Sequence, residues 1–160
     1  MVLPSNLTQQ GFSIKNVNID DLPSYTQVIT TCYKKYVDEN RESYGKWNDE
    51  NIVNEFNDKI ERTFFRKLSL YREPVGFLAY DINDDKIDEV SVNFIEKARN
   101  NGIGSLFIKR VTALAEEQGK PVFLTVMVAN PAVHLYMRLG FRHHKDLPGF
   151  YQMIYNPATL

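Results

Sequence analysis

Apolar and polar positions recur with two different periods along this 160-residue chain, and each change of period marks an element. Residues 12–17, Phe-Ser-Ile-Lys-Asn-Val, alternate with period two, the pattern of a half-buried strand. Asp20 and Asp21 ahead of Leu22-Pro23 predict a helix start, with acids near the positive end of the helix dipole. Tyr25, Val28, Ile29, Cys32, Tyr33 and Tyr36 follow at helical spacing. A second helix is expected from Asn48 or Asp49 through Ile60. Tyr44-Gly45-Lys46-Trp47 lies between the two helices as a loop with exposed aromatics. Strands are predicted at 65–71 and 75–81, joined by a turn at Arg72-Glu73-Pro74. A further turn at Asn83-Asp84-Asp85 leads into a strand over 87–95. Alternation there puts Asp88 with Val90, Val92 and Phe94 on one face, and Glu89, Ser91 and Asn93 on the other. A bulge would alter that assignment.

From Ile103 the apolar positions Leu106, Phe107, Val111, Leu114 and Ala115 return to helical spacing, and Gly119 with Pro121 ends the helix. Val122 to Val128 is an almost unbroken apolar run, as expected for a strand covered on both faces. A short helix over 131–139 stops at Gly140, and 141–145 and 150–155 form a last antiparallel pair. The order predicts an α/β layer structure around one central mixed sheet, in a single domain over residues 1–160.

Composition narrows the function. Hydrophobic residues make up 43% and charged residues 24% of the chain, the balance of a folded globular protein. Nineteen Lys and Arg against twenty Asp and Glu give a formal net charge of −1, which argues against nucleic acid as a partner. No apolar stretch reaches the roughly 20 residues that span a bilayer, and no signal peptide is evident at the start, so neither a membrane nor a secretory route is expected. The lone cysteine, Cys32, suits a reducing, cytoplasmic setting and reads as a core thiol. His143 and His144 are adjacent and would point to opposite faces of a strand, so no metal is expected.

The chemistry begins at "ARNNGIGS", where a strand gives way to a helix. Gly102 and Gly104 let the backbone approach a ligand closely, and the first turn of the helix offers unpaired N–H groups at the positive end of its dipole. Arg99 adds a cation at the loop rim. The segment lacks the Gly-Lys-Ser/Thr of a nucleotide-hydrolysing loop and the third glycine of the dinucleotide fingerprint, since residue 107 is Phe. A turn without a ligand and a loop for a phosphate-bearing cofactor both remain open at this point.

"NPAVHLYMRLGF", residues 130–141, adds the second motif. Arg99-x-x-Gly102-x-Gly104, a helix, a buried strand and then Asn130, Leu135, Tyr136, Leu139, Gly140 and Phe141 together resemble the GNAT N-acetyltransferase superfamily. The similarity is close over 68–155 and extends to element order alone before that. Asn100 stands where a glycine is common, and Glu96 where a proline is common. The resemblance implies a mostly antiparallel mixed sheet, splayed between its fourth and fifth strands and flanked by helices. Acetyl-CoA would lie in that gap as co-substrate, with no metal. Its pyrophosphate would meet the amides of Asn100, Asn101, Gly102, Ile103, Gly104 and Ser105, beside Arg99. Phe94 and Ile95 would border the pantetheine and Asn130 would contact it, while an amide near Ile95 would polarise the thioester. Tyr136 occupies the position of the acid that protonates the departing thiolate.

An amine with a pKa near 10.4 is almost wholly protonated at neutral pH, so a base is expected to help, directly or through water. Glu89 and Asp88, at the start of the strand before the loop, are the candidates, with Glu89 favoured. The expected reaction is direct attack of a primary amine, on a small molecule or a peptide, on acetyl-CoA. The acceptor would sit against the first helices and last strands, near Tyr33, Tyr36, Tyr44, Trp47, Phe150 and Tyr151. A CoA-binding sensor without turnover is the alternative, and a homodimer is left open.

Overall fold

The computed structural model describes residues 1–159. Seven strands form one sheet in the order β1-β2-β3-β4-β5-β7-β6. β1 (Phe12–Asn16), β2 (Phe64–Leu70), β3 (Glu73–Ile82) and β4 (Ile87–Phe94) run antiparallel as successive neighbours. β5 (Val122–Met127) is parallel to β4, and β7 (Phe150–Tyr155) lies between β5 and β6 (Arg142–Leu147), antiparallel to both. The β4–β5 pair is the distinctive one. Its register is set by a single Cα pair, Ile87 with Val122, beside a 2.9 Å bond from the Ile87 amide to the Pro121 carbonyl. Past that point the strands separate, giving the mixed, splayed sheet that the resemblance implies.

Helices cover both faces. α2 (Leu22–Glu39) and α4 (Asp49–Arg62) pack on one, with Tyr25, Val28, Ile29, Ile52 and Phe56 buried against Phe65, Phe77 and Ala79. The Tyr25 ring meets Phe56, Phe65 and Phe77 at centroid distances of 5.3, 5.5 and 5.1 Å. α5 (Ile103–Gln118) covers the other face through Phe107, Ile108, Val111 and Ala115. α4 begins where the polar pattern places it, because the Asn48 side chain accepts from the Glu50 amide and Asp49 and Glu50 occupy the first turn.

Several local expectations are corrected. A short helix, α1 (Ser5–Gln9), precedes β1 and buries Leu7; five residues carry too little periodicity to announce it. The β2–β3 turn is Tyr71-Arg72, both at left-handed φ of 48° and 70°, and Glu73 and Pro74 belong to the strand. The stretch at Tyr44–Trp47 is not an exposed loop throughout. Tyr44 ends a one-turn helix, α3 (Arg41–Tyr44), and its half-buried ring stands edge-on to Phe150 at 5.3 Å. β5 is not covered on both faces, since Thr125 is exposed.

The largest correction concerns β4. Ala79 pairs with Ser91 and Asp81 with Asp88, so Glu89 and Val90 together oppose Tyr80 alone. Glu89 carries the irregularity at a φ of 51°. This bulge resets the alternation, so that Ile87 and Val90, three residues apart, both join the core beneath α5. Asp88 therefore does not share the face of Val90, Val92 and Phe94.

Candidate active site

The splay opens a cleft of about 370 Å³ at the end of β4, between the start of α5, residues 130–138 and the Cys32–Tyr36 stretch of α2. Its floor is the loop between β4 and α5. Gly102 takes a left-handed φ of 83° at the N-cap of α5, and a Cβ there would meet nothing within 4 Å. The conformation therefore requires glycine for its torsion rather than for space. The amides of Asn100, Asn101, Gly102, Gly104 and Ser105 donate to no acceptor among the described residues. The Ile103 amide differs from the expected set, because Asn101 Oδ1 accepts from it at 3.1 Å. Asn101 thus shapes the loop as well as lining it, and its Nδ2 donates to the Ala98 carbonyl at 2.7 Å. Five free N–H groups at a helix start are suited to a diphosphate. The donor set fits coenzyme A.

Arg99 Nε donates to the Phe94 carbonyl at 2.8 Å, tying the loop cation to the end of β4. Cys32 Sγ reaches the same carbonyl at 3.4 Å, and burial pushes its thiol pKa up, as befits a core thiol. The Ile95 amide, expected to face a thioester, donates instead to Val75 at 3.0 Å within the sheet. It is not available for that role. Asn130 Oδ1 accepts from the Ala132 amide at 2.9 Å, capping α6 (Ala132–Arg138), and the residue still borders the cleft.

Tyr136, on α6, is 7% exposed. Burial pushes its phenol pKa up to about 12, so it stays protonated at neutral pH. Its hydroxyl makes no hydrogen bond among the described residues, and its ring packs edge-on to Phe141 at 6.0 Å. With Tyr33, Val92 and Asn130 it lines both the loop-side cleft and a second chamber of about 270 Å³ on the far side of the splay. Tyr33 Oη donates to Asn93 Oδ1, giving the buried amide oxygen a partner, and burial raises the Tyr33 pKa as well.

The chamber runs outward between β4 and β5 into a wider groove of about 640 Å³, the two sharing Glu55, Val90, Ser91, Thr125 and Phe150. Asp88 and Glu89 line this groove but not the chamber. Asp88 accepts from Asn83 Nδ2 at 2.9 Å and pairs with Lys86 at 2.7 Å, while Glu89 lies 3.9 Å from Lys59. Of the aromatic residues expected around the acceptor, Tyr33 and Phe150 border the chamber, and Tyr36 borders the loop-side cleft. Tyr44 reaches Phe150 from behind. Sequence reasoning missed Glu55 and Lys59; both sit on an ordinary-looking amphipathic helix, and only their fold partners distinguish them. Among the described residues no three His, Cys, Asp or Glu side chains gather as a metal site would require, and no helix is long and apolar enough to cross a membrane.

A sheet splayed beside a glycine-rich anion loop, with a buried tyrosine at the junction, defines an acyl-CoA-dependent transferase scaffold. The profile of the Acetyltransferase (GNAT) family matches residues 27–141, and this chain belongs to that family. No curated protein matches the chain by sequence. Among solved structures, the chain is similar to the PaiA N-acetyltransferase from Thermoplasma acidophilum in complex with coenzyme A. That likeness has 18% identity and a TM-score of 0.68, covering 91% of this chain and 98% of the other. Arabidopsis thaliana Naa50 in complex with the bisubstrate analogue CoA-Ac-MVNAL is 16% identical, with a TM-score of 0.67 and coverage of 91% and 99%. The ribosomal-protein-S18-alanine N-acetyltransferase from Escherichia coli is also 16% identical, with a TM-score of 0.65 and coverage of 91% and 93%. At these identities the likeness establishes the fold. The chain is an enzyme of the acetyltransferase class with acetyl-CoA as its co-substrate.

Proposed function

We propose that this chain, as one domain over residues 1–160, transfers an acetyl group from acetyl-CoA to a primary amine by direct attack. The observation that carries the reading is the meeting of two cavities at Tyr136 and Asn130, one with an anion loop and one without. Acetyl-CoA supplies the activated acetyl thioester when bound. The free amides of Asn100 to Gly102, Gly104 and Ser105 hold its diphosphate, and Arg99 supports them. Phe94, Ile95 and Ile103 shape the strand end and the helix start on which the loop is built. Asn130 keeps α6 in register, so that Tyr136 stands at the junction.

Tyr136 serves as the acid that protonates the departing thiolate, and its raised pKa keeps the proton in place until then. Asp88 and Glu89 give the outer groove negative charge that draws in a protonated amine. The acceptor is an amine of a small molecule or a peptide; peptide acceptors gain support from the analogue seen with Arabidopsis Naa50. The cytoplasm is the proposed compartment, consistent with the buried, unpaired Cys32.

Release of free CoA thiol from acetyl-CoA, followed across a panel of amines, tests the reading. A primary aliphatic amine, a diamine, an aminosugar, an amino acid and a free-N-terminus peptide span the acceptor classes. Thiol release above the amine-free rate with at least one class is expected. No release with any class, at saturating acetyl-CoA, overturns the proposal.

A further inference from the structure

Among the described residues, Glu55 of α4 is the one carboxylate that lines the chamber beside Tyr136. Asp88 and Glu89 border only the outer groove. The three also differ in how their oxygens are used. Both Asp88 oxygens are taken, one by Asn83 and the other by Lys86. Glu55 is held by one oxygen only. Its Oε1 accepts from Tyr25 Oη at 3.2 Å and from Lys59 Nζ at 2.6 Å. Its Oε2 has no hydrogen-bond partner among the described residues.

Both anchors are buried. Tyr25 is fully buried in the aromatic cluster under α2 and α4, and Lys59 is 4% exposed. Lys59 also faces Glu89 at 3.9 Å, so its charge is shared between the chamber and the groove. The Glu55 side chain is 47% exposed, so a carboxylate held through one oxygen leaves the other accessible to a bound amine, which is what proton abstraction requires.

We propose that Glu55 is the catalytic base, receiving the acceptor ammonium on Oε2; this rests on the acetyltransferase reading above. Oε2 takes one proton from the ammonium, which frees the nitrogen lone pair. The lone pair forms the new C–N bond to the acetyl carbonyl carbon, and the C–S bond breaks with its electrons on sulfur. Tyr136 gives its proton to sulfur and is reprotonated from the nitrogen, leaving a neutral amide. The proton on Glu55 then passes to solvent through the groove, so one proton is released per turnover.

Glu55→Gln provides the test, because the amide oxygen still accepts from Tyr25 and Lys59 while the base is lost. With the best amine of the panel, kcat/KM should fall about 100-fold or more. Calorimetry should give an acetyl-CoA affinity within twofold of the wild type, and the melting temperature should hold. The pH profile separates a base from a structural residue. With an aliphatic amine of pKa near 10.4 as acceptor, the variant can use only the neutral fraction, so its kcat/KM should rise about tenfold per pH unit from pH 7 to 9. The wild-type profile should be nearly flat over that range, and Glu55→Asp should recover part of the lost rate. A Glu55→Gln variant within threefold of wild type, or one with the wild-type pH profile, overturns the assignment while leaving the acetyltransferase reading intact. A wild-type protein that acetylates no amine in the panel overturns both.

Discussion

The two cavities that meet at Tyr136 are built from different materials. On the loop side the ligand-facing groups are main-chain amides, held by a left-handed glycine and the first turn of α5. On the acceptor side they are side chains from α2, α4, β4, β5 and β7, with the charged Glu55, Lys59, Asp88 and Glu89 among them. Amides carry partial charges that no pH change removes, and they bind any diphosphate of the right shape. Side-chain charges depend on their partners and on pH, so they discriminate. One half of the site is therefore suited to a constant co-substrate, and the other to the selective acceptor proposed above.

Substitutions on either side should separate in what they change. The largest effect is expected at the junction. Tyr136→Phe removes the proposed acid and no hydrogen bond among the described residues, so kcat should fall about 100-fold, the scale of general acid catalysis. Acetyl-CoA affinity, measured by calorimetry, should stay within twofold. Loss of affinity equal to the loss of rate would make Tyr136 a packing residue. The same phenol predicts the alkaline behaviour. Its pKa of about 12 keeps it protonated, so no loss of kcat from this group should appear below pH 10.

A smaller effect belongs to the loop side. Gly102→Ala places a Cβ in open space, so sterics do not oppose it, but the left-handed backbone costs about 1–2 kcal/mol. Acetyl-CoA binding should weaken about tenfold, while kcat at saturation stays near wild type. A variant that binds acetyl-CoA normally would mean that the loop does not need its left-handed residue for the ligand.

The same contrast governs what could be read from the sequence. The loop side is local: Arg99 to Ser105 and Asn130 to Phe141 are two short runs, and backbone geometry follows from glycine and helix starts. Even there, the bond from Ile103 to Asn101 and the commitment of the Ile95 amide to Val75 depend on atoms that spacing does not describe. The acceptor side is assembled across more than a hundred residues of chain. Glu55 has the spacing of a solvated helix face, and only the burial of Tyr25 and Lys59 beside it makes it distinctive. Asp88 and Glu89 were legible as acids near the site, but one extra residue at the bulge overturned the face assigned to Asp88. Alternation fails at such a point because it counts residues and the ladder does not.

Glu89 gives the smallest and most diagnostic effect. Its side chain is 47% exposed on the groove wall, so water screens whatever it contributes. A unit charge about 8 Å from an approaching ammonium is worth about 0.5 kcal/mol in a water-like dielectric, roughly a factor of two. Glu89→Gln should therefore raise KM for a cationic amine about twofold and leave acetyl-CoA affinity unchanged. Because the effect acts over distance through solvent, it should shrink as ionic strength rises from 0.01 M to 1 M, where the Debye length drops from about 30 to about 3 Å. A deficit that persists at 1 M salt would mean direct contact between Glu89 and the acceptor. A loss of kcat approaching that of Glu55→Gln would move the proton-accepting role from the chamber to the groove. The difference in salt response between the two glutamates thus measures where the acceptor amine comes to rest.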